Sequence, residues 1–288
     1  MKTNVLITGS NGQLGKSLSA LIEANINESI NFTLTTRGSL DITNKVQVDA
    51  YFQSHTFQYC INCAAYTAVD KAEEAQEQAY LINATGVKNL AEACEKSGVI
   101  LIHISTDFVF DGEKTEPYKE TDRPNPINVY GVSKLQGEMY IQALLNEYFI
   151  IRTSWLYSEY GNNFVKTMLR LGAEKSELQV VNDQIGSPTY TKDLAEVILK
   201  IIISKHKQFG VYHYSNEGVA SWYDFANTIF EFTQIKIDLI PIPTEAYQTP
   251  AIRPRFSVLD TTKIEAVLGI SISNWKDSLS VALTNFVI

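Results

Sequence analysis

The sequence of 288 residues contains no apolar run that approaches the roughly 18–20 residues of a membrane-spanning helix. The two richest runs, Val99–Ile104 and Val197–Ile203, are short, and Lys200 interrupts the second. Near the N-terminus, Lys2 is followed only by Val5–Ile7 before a glycine-containing loop, which is too little for the apolar region of a secretory signal peptide. We therefore expect a cytoplasmic protein.

Positive charge is also scarce, since 24 Lys and Arg residues stand against 32 Asp and Glu residues and the formal net charge is −8. This balance argues against binding to nucleic acid or to an anionic membrane surface. It leaves room for a small anionic substrate, because a few Arg or Lys side chains can bind one locally. The sequence has no internal repeat, and its 45% hydrophobic and 19% charged residues are typical of a globular protein of roughly two domains.

Cysteine and histidine are rare, with three and four residues. An odd number of cysteines cannot all pair, and Cys60 and Cys63 form a C-x-x-C inside a predicted buried strand. We interpret Cys60, Cys63 and Cys94 as reduced core residues, with a redox or metal role as the alternative, and we predict no metal site. His103 alternates within a strand, which suits either a core position or one that lines a site.

Strands alternate with helices through the first half of the chain. The predicted strands are Asn4–Thr8, Phe32–Thr36, Phe57–Ala64, Val99–Ser105 and Phe149–Trp155. The predicted helices are Gln13–Asn25, Lys45–His55, Glu73–Ser97 (followed by Gly98 as its C-cap) and Val129–Asn146. This alternation is typical of an α/β fold with a doubly wound (Rossmann) parallel sheet and right-handed crossovers.

The pattern loosens after Trp155. The predicted helices there are Asn163–Ala173, Lys192–Ser204, Trp222–Phe232 and Trp275–Phe286, the strands are Gly210–Ser215 and Ile235–Ile240, and Pro241–Pro254 is predicted as a loop. We expect residues 1–155 to bind the cofactor, with a segment at about 190–215 returning to that domain. Residues 156–288 then form mainly a smaller, discontinuous C-terminal substrate domain. Trp222 and Trp275, which begin helices, are interpreted as packing anchors.

Three glycines, Gly9, Gly12 and Gly15, follow the first predicted strand at the spacing G-x-x-G-x-x-G. Glycine at these positions permits a tight turn, a close approach of the backbone to a pyrophosphate, and close packing of the next helix on the strand. The helix N-terminus then offers free N–H groups to the phosphates. Turns use glycine for other reasons as well, but the strand–loop–helix context favours a dinucleotide site.

The end of the second strand bears on the choice of cofactor. An acidic residue there binds the adenosine ribose hydroxyls and favours NAD, whereas an arginine accommodates a 2′-phosphate. The sequence has Arg37 and no acid at this point, which favours NADPH, with NADH possible. A solvent-exposed loop arginine is the alternative. Asp41 and Ile42 follow closely enough to flank the adenine.

Tyr130 and Lys134 are four residues apart, so a helix places both on one face. A nearby ammonium stabilises tyrosinate, so we expect Lys134 to lower the pKa of Tyr130. A tyrosine with an exchangeable proton beside a nicotinamide is what carbonyl reduction needs, because hydride reaches carbon and Tyr donates to oxygen. Upstream, Ser105 and Thr106 end a buried strand, where a hydroxyl can hold a substrate oxygen, and Asp107 can accept from a sugar hydroxyl.

In this order the glycine loop, the strand-end Ser-Thr and the Tyr-x-x-x-Lys resemble the extended short-chain dehydrogenase/reductases. Within that family, several segments are most similar to the nucleotide-sugar reductases that complete dTDP-L-rhamnose synthesis. These segments are VDKAE (69–73), NNFVKTMLRL (162–171), NDQIGSPT (182–189) and RPRFSVLD (253–260). The resemblance implies NADPH-dependent reduction of the 4-keto group of a dTDP-linked 4-keto-6-deoxy sugar, by a monomer or homodimer.

The resemblance also assigns roles to individual residues. It implies that the pyrophosphate is wrapped by Gly9, Gly12, Gln13, Leu14 and Gly15, that the adenine is flanked by Asp41 and Ile42, and that the nicotinamide half is contacted by Ala64, Ala65 and Tyr66. It implies that Tyr130 donates the proton, that Lys134 holds Tyr130 and the nicotinamide ribose, and that Thr106 polarises the keto oxygen. Contacts to the sugar or nucleotide are implied for Val69, Asp107 and Trp155, and a contact to the diphosphate for Arg253.

Two other functions remain open. The first is a related reductase or epimerase acting on another nucleotide sugar. An epimerase keeps its cofactor bound and oxidised, whereas Arg37 and the C-terminal segments favour a reductase. The second is a non-catalytic, reductase-like regulatory subunit of the kind found with methionine adenosyltransferase, since fold does not dictate function.

Overall fold

The computed structural model describes residues 2–24 and 29–286. Its strands are β1 (Thr3–Thr8), β2 (Ile30–Leu34), β3 (Tyr59–Asn62), β4 (Ile100–Thr106), β5 (Tyr148–Thr153), β6 (Leu156–Tyr157), β7 (Glu177–Val181), β8 (Ile185–Gly186), β9 (Thr189–Tyr190), β10 (Gly210–His213), β11 (Ala220–Ser221) and β12 (Asp238–Ile242). Its helices are α1 (Gln13–Ala24), α2 (Lys45–Ser54), α3 (Val69–Glu74), α4 (Gln76–Tyr80), α5 (Val87–Ser97), α6 (Val129–Leu144), α7 (Phe164–Glu174), α8 (Thr191–Ile203), α9 (Trp222–Thr233), α10 (Thr262–Leu268) and α11 (Trp275–Leu283). Within the described residues, no helix is both long and apolar enough to cross a membrane.

A six-stranded sheet in the order β10-β5-β4-β3-β1-β2 forms the centre of the molecule. All of its pairings are parallel, which confirms the predicted doubly wound α/β fold. The chain builds outward from β1 to β2 on one side and from β3 to β5 on the other, so the direction of winding reverses between β1 and β3. Ligands of doubly wound sheets bind outside the carboxyl ends of the strands at such a reversal.

Both faces of this sheet are buried, because its strands alternate between two apolar cores. Ile102 and Ile104 of β4 face a core that includes residues of α1, α8 and α10. Leu101, the residue before Ile102, faces a second core that includes residues of α2, α5 and α6. This arrangement explains the uninterrupted apolar runs of the sequence. Cys60 and Cys94 lie in the second core with free thiols, whereas Cys63 stays partly exposed at the edge of the first.

The predicted single helix Glu73–Ser97 is wrong over its first half. The chain forms α3 and α4, then a π-helical turn at Leu81–Gly86, and only then α5, which ends as predicted at a left-handed Gly98 with φ 62°. The π turn directs Asn83 into the protein. There its Oδ1 accepts from the backbone N–H of Tyr66 (2.8 Å), and its Nδ2 donates to the backbone carbonyl of Tyr66 (3.0 Å). π turns of this kind often occur at functional sites.

The C-terminal part holds a separate apolar core that includes Val165, Phe225 and Trp275, so the interpretation of Trp275 as a packing anchor is confirmed. The predicted strand Ile235–Ile240 and the loop after it are partly wrong, since β12 runs to Ile242 and pairs with β7, which the sequence analysis missed. The helix α10 was also missed. β10 joins the main sheet beside β5. The assignment of cofactor and substrate roles to the two parts stays a prediction.

Candidate active site

A cleft opens at the carboxyl ends of β1, β3, β4 and β5, where the winding of the sheet reverses. It is lined by many of the residues that the sequence singled out, namely Gly12, Gln13, Leu14, Ala65, Val69, Thr106, Asp107, Tyr130, Lys134, Trp155 and Arg253. Arg37, Asp41 and Ile42 lie further out, after β2. The structure therefore brings the predicted catalytic residues together with the glycine loop.

The glycine loop lies directly against the segment that follows β3. Gly9 has φ +66°, and a Cβ built on it would be 2.6 Å from the backbone N of Ala64. A Cβ on Gly15 would be 2.6 Å from the carbonyl oxygen of Gly9. Both positions therefore require glycine, and both keep the backbone of the loop free to approach a ligand at the start of α1. This geometry fits the pyrophosphate of a dinucleotide.

Gln13 connects this loop to the C-terminal part of the chain. Its Oε1 accepts hydrogen bonds from the Ser158 hydroxyl (3.0 Å) and from Asn163 Nδ2 (2.9 Å). Asn163 is also the N-cap of α7, where its Oδ1 accepts from the backbone N–H of Lys166. The glycine loop and the C-terminal part of the chain are therefore joined through one side chain.

The adenine end of the predicted site is more open. Arg37 is 71% exposed and its Nε lies 3.3 Å from Asp41 Oδ2. An exposed pair of this kind contributes little to stability, so the guanidinium is available to an anionic ligand. Asp41 also accepts from the Thr43 hydroxyl (2.7 Å). Ile42 is buried, at 4% exposure, and packs in the core beside the π turn.

The first turn of α6 sets the position of Tyr130. Asn128 caps the helix by accepting from the N–H of Gly131 (2.8 Å), and Glu73 of α3 accepts from the N–H of Val129 (2.9 Å). Gly131 allows the helix to touch the short turn that follows β4, since a Cβ there would overlap the Phe108 carbonyl oxygen. This close contact brings Tyr130 beside Thr106.

The electrostatics of Tyr130 differ from the expectation. Burial raises the pKa of Tyr130 to about 12, and Asp107 adds to the rise, while the hydrogen bond with Thr106 opposes it. The prediction that Lys134 lowers this pKa is wrong for this structure, because Lys134 Nζ donates to the Ile104 carbonyl (2.6 Å) and lies 3.3 Å from His103 Nε2. Tyr130 is therefore a neutral phenol near neutral pH, which is the form that can donate a proton.

Burial shifts the pKa of Lys134 in the opposite direction from that of Tyr130, because the charged form of lysine is its protonated form. Burial lowers the pKa of Lys134 to about 8, although Glu138 and Cys63 oppose this effect. An ammonium that is 2% exposed has little water to stabilise it. The charge of Lys134 is thus sensitive to pH near its pKa of about 8.

Asp107 and Thr153, which lie at the ends of β4 and β5, both face the cleft with buried oxygen atoms. Burial raises the pKa of Asp107 to about 6, although the hydroxyls of Ser257 and Thr106 lower it. Thr153, at the end of β5, lines the cleft with a buried hydroxyl that has no hydrogen-bond partner among the described residues. A ligand hydroxyl or keto group would satisfy such an atom. Sequence analysis missed Thr153, although its place at a strand end was a usable signal.

Two tryptophans form one wall of the cleft. Trp155 has a positive φ of 45° and stacks on Trp222 with ring centroids 3.5 Å apart. Its ring also covers Gly186, where a Cβ would lie 2.6 Å from Trp155 Cε2. The interpretation of Trp222 as a packing anchor is therefore incomplete, since Trp222 lines the cleft as well. Only the tertiary fold brings these two rings together, so the sequence held no signal for the pair.

Arg253 enters the cleft from the C-terminal part and is held by a bidentate pair. Its Nη2 lies 2.7 Å from Asp70 Oδ2 and its Nη1 lies 3.0 Å from Asp70 Oδ1. The hydrogen bonds from Arg253 hold the pKa of Asp70 below its usual value. Asn128 donates to the carbonyl of Ile252 (2.8 Å), which ties this segment to the cap of α6. The guanidinium is thus oriented before any ligand binds.

Comparison with known proteins agrees with this geometry. The family model for the RmlD substrate binding domain matches residues 2–288. A dTDP-4-dehydrorhamnose reductase of Aggregatibacter actinomycetemcomitans is 45% identical over 285 residues, which cover 96% of each chain. The crystal structure of a dTDP-4-dehydrorhamnose reductase from Bacillus anthracis in complex with NADP is 44% identical, covers 99% of each chain and superposes with a TM-score of 0.94.

A second solved structure, a dTDP-4-dehydrorhamnose reductase from Clostridium acetobutylicum, is 45% identical and also has a TM-score of 0.94. It covers 98% of this chain and 99% of its own. Family model, sequence and fold therefore agree along the whole length. The chain belongs to the RmlD family, the family of the dTDP-4-dehydrorhamnose reductases.

Proposed function

We propose that this protein catalyses the NADPH-dependent reduction of the 4-keto group of dTDP-4-dehydro-β-L-rhamnose to give dTDP-L-rhamnose. The observation that carries the proposal is that Tyr130 stands beside the Thr106 hydroxyl in the same cleft as a glycine loop that fits a dinucleotide. Bound NADPH would supply the hydride for carbon 4. In a bacterial source, the product would serve carbohydrate and cell-envelope synthesis, including lipopolysaccharide O-antigen.

The chain's own residues supply the proton and the orientation. Thr106 holds the keto oxygen through its hydroxyl, and Tyr130 donates its phenolic proton to that oxygen as negative charge develops there. Lys134, fixed one helical turn after Tyr130, binds the nicotinamide ribose. The rise in the pKa of Tyr130 keeps the donor protonated between turnovers.

The cofactor would lie along the reversal of the sheet. The pyrophosphate contacts would come from Gly9, Gly12, Gln13, Leu14 and Gly15, those to the adenosine from Arg37, Asp41 and Ile42, and those to the nicotinamide half from Ala64, Ala65, Tyr66, Tyr130 and Lys134. The NADP bound to the 44% identical structure supports this choice of cofactor. The exposed guanidinium of Arg37 supports NADPH over NADH.

The substrate would enter from the C-terminal side of the cleft. Val69, Asp107 and Trp155 would contact the sugar or nucleotide, and Arg253 would bind the diphosphate. An Arg–phosphate contact is strong and bidentate, which suits an acidic protein that binds an anion. On this proposal residues 1–155, with about 190–215, hold the cofactor, and residues 156–288 mainly hold the substrate. We place the reaction in the cytoplasm.

The proposal is tested by following the absorbance of NADPH with dTDP-4-keto-6-deoxyglucose and a 3,5-epimerase as the source of substrate. Oxidation of NADPH that requires the epimerase, with dTDP-L-rhamnose as the product, is the expected result. Oxidation without the epimerase would identify a reductase of another 4-keto sugar. Binding of NADPH with no turnover would favour the regulatory-subunit alternative.

Replacing Arg37 with Ala is expected to weaken NADPH binding about 10-fold or more, because a charge-assisted contact to the 2′-phosphate is worth roughly 1.5–3 kcal/mol. Binding of NADH should not change, since it lacks that phosphate. Fluorescence titration of both cofactors measures this. Arg170→Ala is the matched control, because Arg170 is also exposed and paired with an i+4 carboxylate. An equal loss for NADPH and NADH would contradict the assignment.

Replacing Arg253 with Lys is expected to raise the KM for the nucleotide sugar about 10- to 100-fold, because an ammonium cannot reproduce the bidentate contact. The affinity for NADPH should stay the same. Arg255→Lys is the control, since Arg255 is two residues away, 69% exposed and paired with Glu245. Steady-state kinetics at saturating NADPH decide the question, and an unchanged KM in Arg253→Lys would remove Arg253 from the substrate site.

A further inference from the structure

A line of buried polar side chains runs from Lys134 across three strands of the sheet. Lys134 Nζ lies 3.3 Å from His103 Nε2, His103 Nδ1 lies 3.0 Å from Asn62 Nδ2, and Asn62 Oδ1 lies 2.7 Å from the Thr8 hydroxyl. His103 and Thr8 have no exposed surface, and Asn62 is 1% exposed. The catalytic function proposed above assigns no role to His103, Asn62 or Thr8.

The partners of Asn62 fix the orientation of its amide. The backbone N–H of Ala64 can only donate, and it points at Asn62 Oδ1 from 3.1 Å. The Thr8 hydroxyl donates to the same oxygen. The other end of the amide, the Nδ2 that faces His103, is therefore a donor, and His103 Nδ1 must be the acceptor.

This hydrogen bond determines the tautomer of His103. Burial and the nearby Lys134 lower the pKa of His103 well below its usual value, so the ring is neutral. A neutral imidazole whose Nδ1 accepts carries its hydrogen on Nε2. His103 thus presents an N–H group to Lys134.

An N–H donor is a poor partner for an ammonium and a good one for an amine. Lys134 already donates to the Ile104 carbonyl at 2.6 Å. A protonated Lys134 has three donors and no acceptor, whereas the neutral amine has a lone pair that can accept from His103 Nε2. The contact therefore favours the neutral form.

The other ionisable groups around Lys134 do not share this effect. Glu138, one turn later on α6 and 1% exposed, favours the charged form, as does Cys63 after β3. Tyr130, on the same helix, is neutral because burial raises its pKa to about 12. Burial is the largest cause of the lowered pKa of Lys134, and the hydrogen-bonding state of His103 acts in the same direction.

We propose that His103 and Asn62 are positioning residues that make the charge of Lys134 easy to lose, by holding the His103 Nε2–H against its amino group. The inference rests on the proposed role of Lys134 in binding the nicotinamide ribose. It deepens that role, because the affinity of the protein for NADPH then decreases when Lys134 is deprotonated. A reductase must release its oxidised cofactor in every turnover. A Lys134 that loses its charge readily would favour this release.

The tautomer can be measured directly. The protein has four histidines, so a ¹⁵N-histidine spectrum of the intact chain is simple, and His103 can be assigned through its nuclear Overhauser contacts to Asn62. We expect His103 Nδ1 to resonate as an unprotonated nitrogen and Nε2 as a protonated one. A hydrogen on Nδ1 would overturn the inference without any mutation and without any assay of activity.

The consequence is tested with Asn62→Asp. The carboxylate keeps the acceptor for Ala64 and Thr8, but its second oxygen now needs a donor, so the hydrogen of His103 should move to Nδ1 and Nε2 should accept from Lys134. The affinity for NADPH is then measured from about pH 7 to about pH 10, a range that spans the lowered pKa of Lys134 and approaches the usual value for lysine. In the native protein it should fall as the pH rises through about 8. In Asn62→Asp this fall should move upward by about one pH unit, which is about 10-fold tighter binding above the native midpoint.

A double-mutant cycle separates the tautomer from the added charge. In a His103→Phe background, Asn62→Asp adds the same carboxylate but has no imidazole to reorient, so its upward shift should be clearly smaller. Equal shifts in both backgrounds would overturn the inference, because charge alone would then explain them. Failure to bind NADPH at every pH would instead reject the proposed function. If Asn62→Asp does not fold, the spectrum of the native protein still decides.

Discussion

Replacing Tyr130 with Phe is expected to lower kcat by about 10²- to 10⁴-fold, the contribution of a positioned general acid. The phenyl ring fills the same space and keeps the edge-on contact with Phe108, whose ring centroid is 5.8 Å away. The single loss is the phenolic O–H beside Thr106. Since Lys134 is held by Ile104 rather than by Tyr130, the affinity for NADPH should fall by no more than about 10-fold, which is the contribution of one hydroxyl contact to the nicotinamide half.

The measurement is the rate of NADPH oxidation at saturating substrate, with a fluorescence titration of NADPH on the same sample. Tyr140→Phe is the matched control, because Tyr140 lies on the same helix and contacts the amino group of Lys88 outside the cleft. It should leave kcat as it is. Turnover that survives in Tyr130→Phe would keep the reaction but assign the proton to another donor.

Sequence reasoning located Tyr130 well and described its chemistry less well. The i, i+4 spacing and the glycine loop predicted which side chains line one cleft, because helical periodicity and strand ends are local properties. The predicted direction of the pKa shift of Tyr130 was wrong. That shift depends on burial and on which group Lys134 hydrogen-bonds, and residue spacing determines neither. The raised value still serves the proposed reaction, since reduction requires a protonated donor.

The missed features share a physical cause. The π turn contains Asn83, whose amide hydrogen-bonds the backbone of Tyr66, 17 residues earlier. This hydrogen bonding outweighs the local preference for a regular helix. Trp222 reaches Trp155 only through the packing of the C-terminal core. Asp70 belongs to the VDKAE segment, yet its pairing with Arg253 joins residues 183 positions apart. Long-range contacts of this kind are invisible to single-sequence periodicity.

A buried ion pair behind the cleft leads to the largest expected change in stability. Arg152 of β5 and Glu138 of α6 are 3% and 1% exposed and meet at 2.6 Å. Ser105 donates to Glu138 at 2.5 Å, and the Arg152 guanidinium lies over the ring of Phe110 at 5.2 Å. The pair joins the helix that carries Tyr130 and Lys134 to the strands beneath it.

Arg152→Met is expected to lower the free energy of unfolding by about 3–5 kcal/mol, because it leaves the carboxylate of Glu138 buried without its partner. The double variant Arg152→Met/Glu138→Leu should recover most of this loss, since an apolar pair of similar volume needs no compensation for desolvation. Urea denaturation of both variants provides the comparison. Arg170→Met is the control, because the Arg170–Glu174 pair is 60% and 54% exposed and should cost less than about 1 kcal/mol.

The double variant also separates stability from function. Glu138 favours the charged form of Lys134, so an apolar pair that restores the fold removes this support as well. We therefore expect Arg152→Met/Glu138→Leu to fold with nearly native stability but to lose affinity for NADPH at a lower pH than the native protein. If the double variant were as unstable as Arg152→Met alone, the geometry of the pair, and not the unpaired charge, would account for the loss.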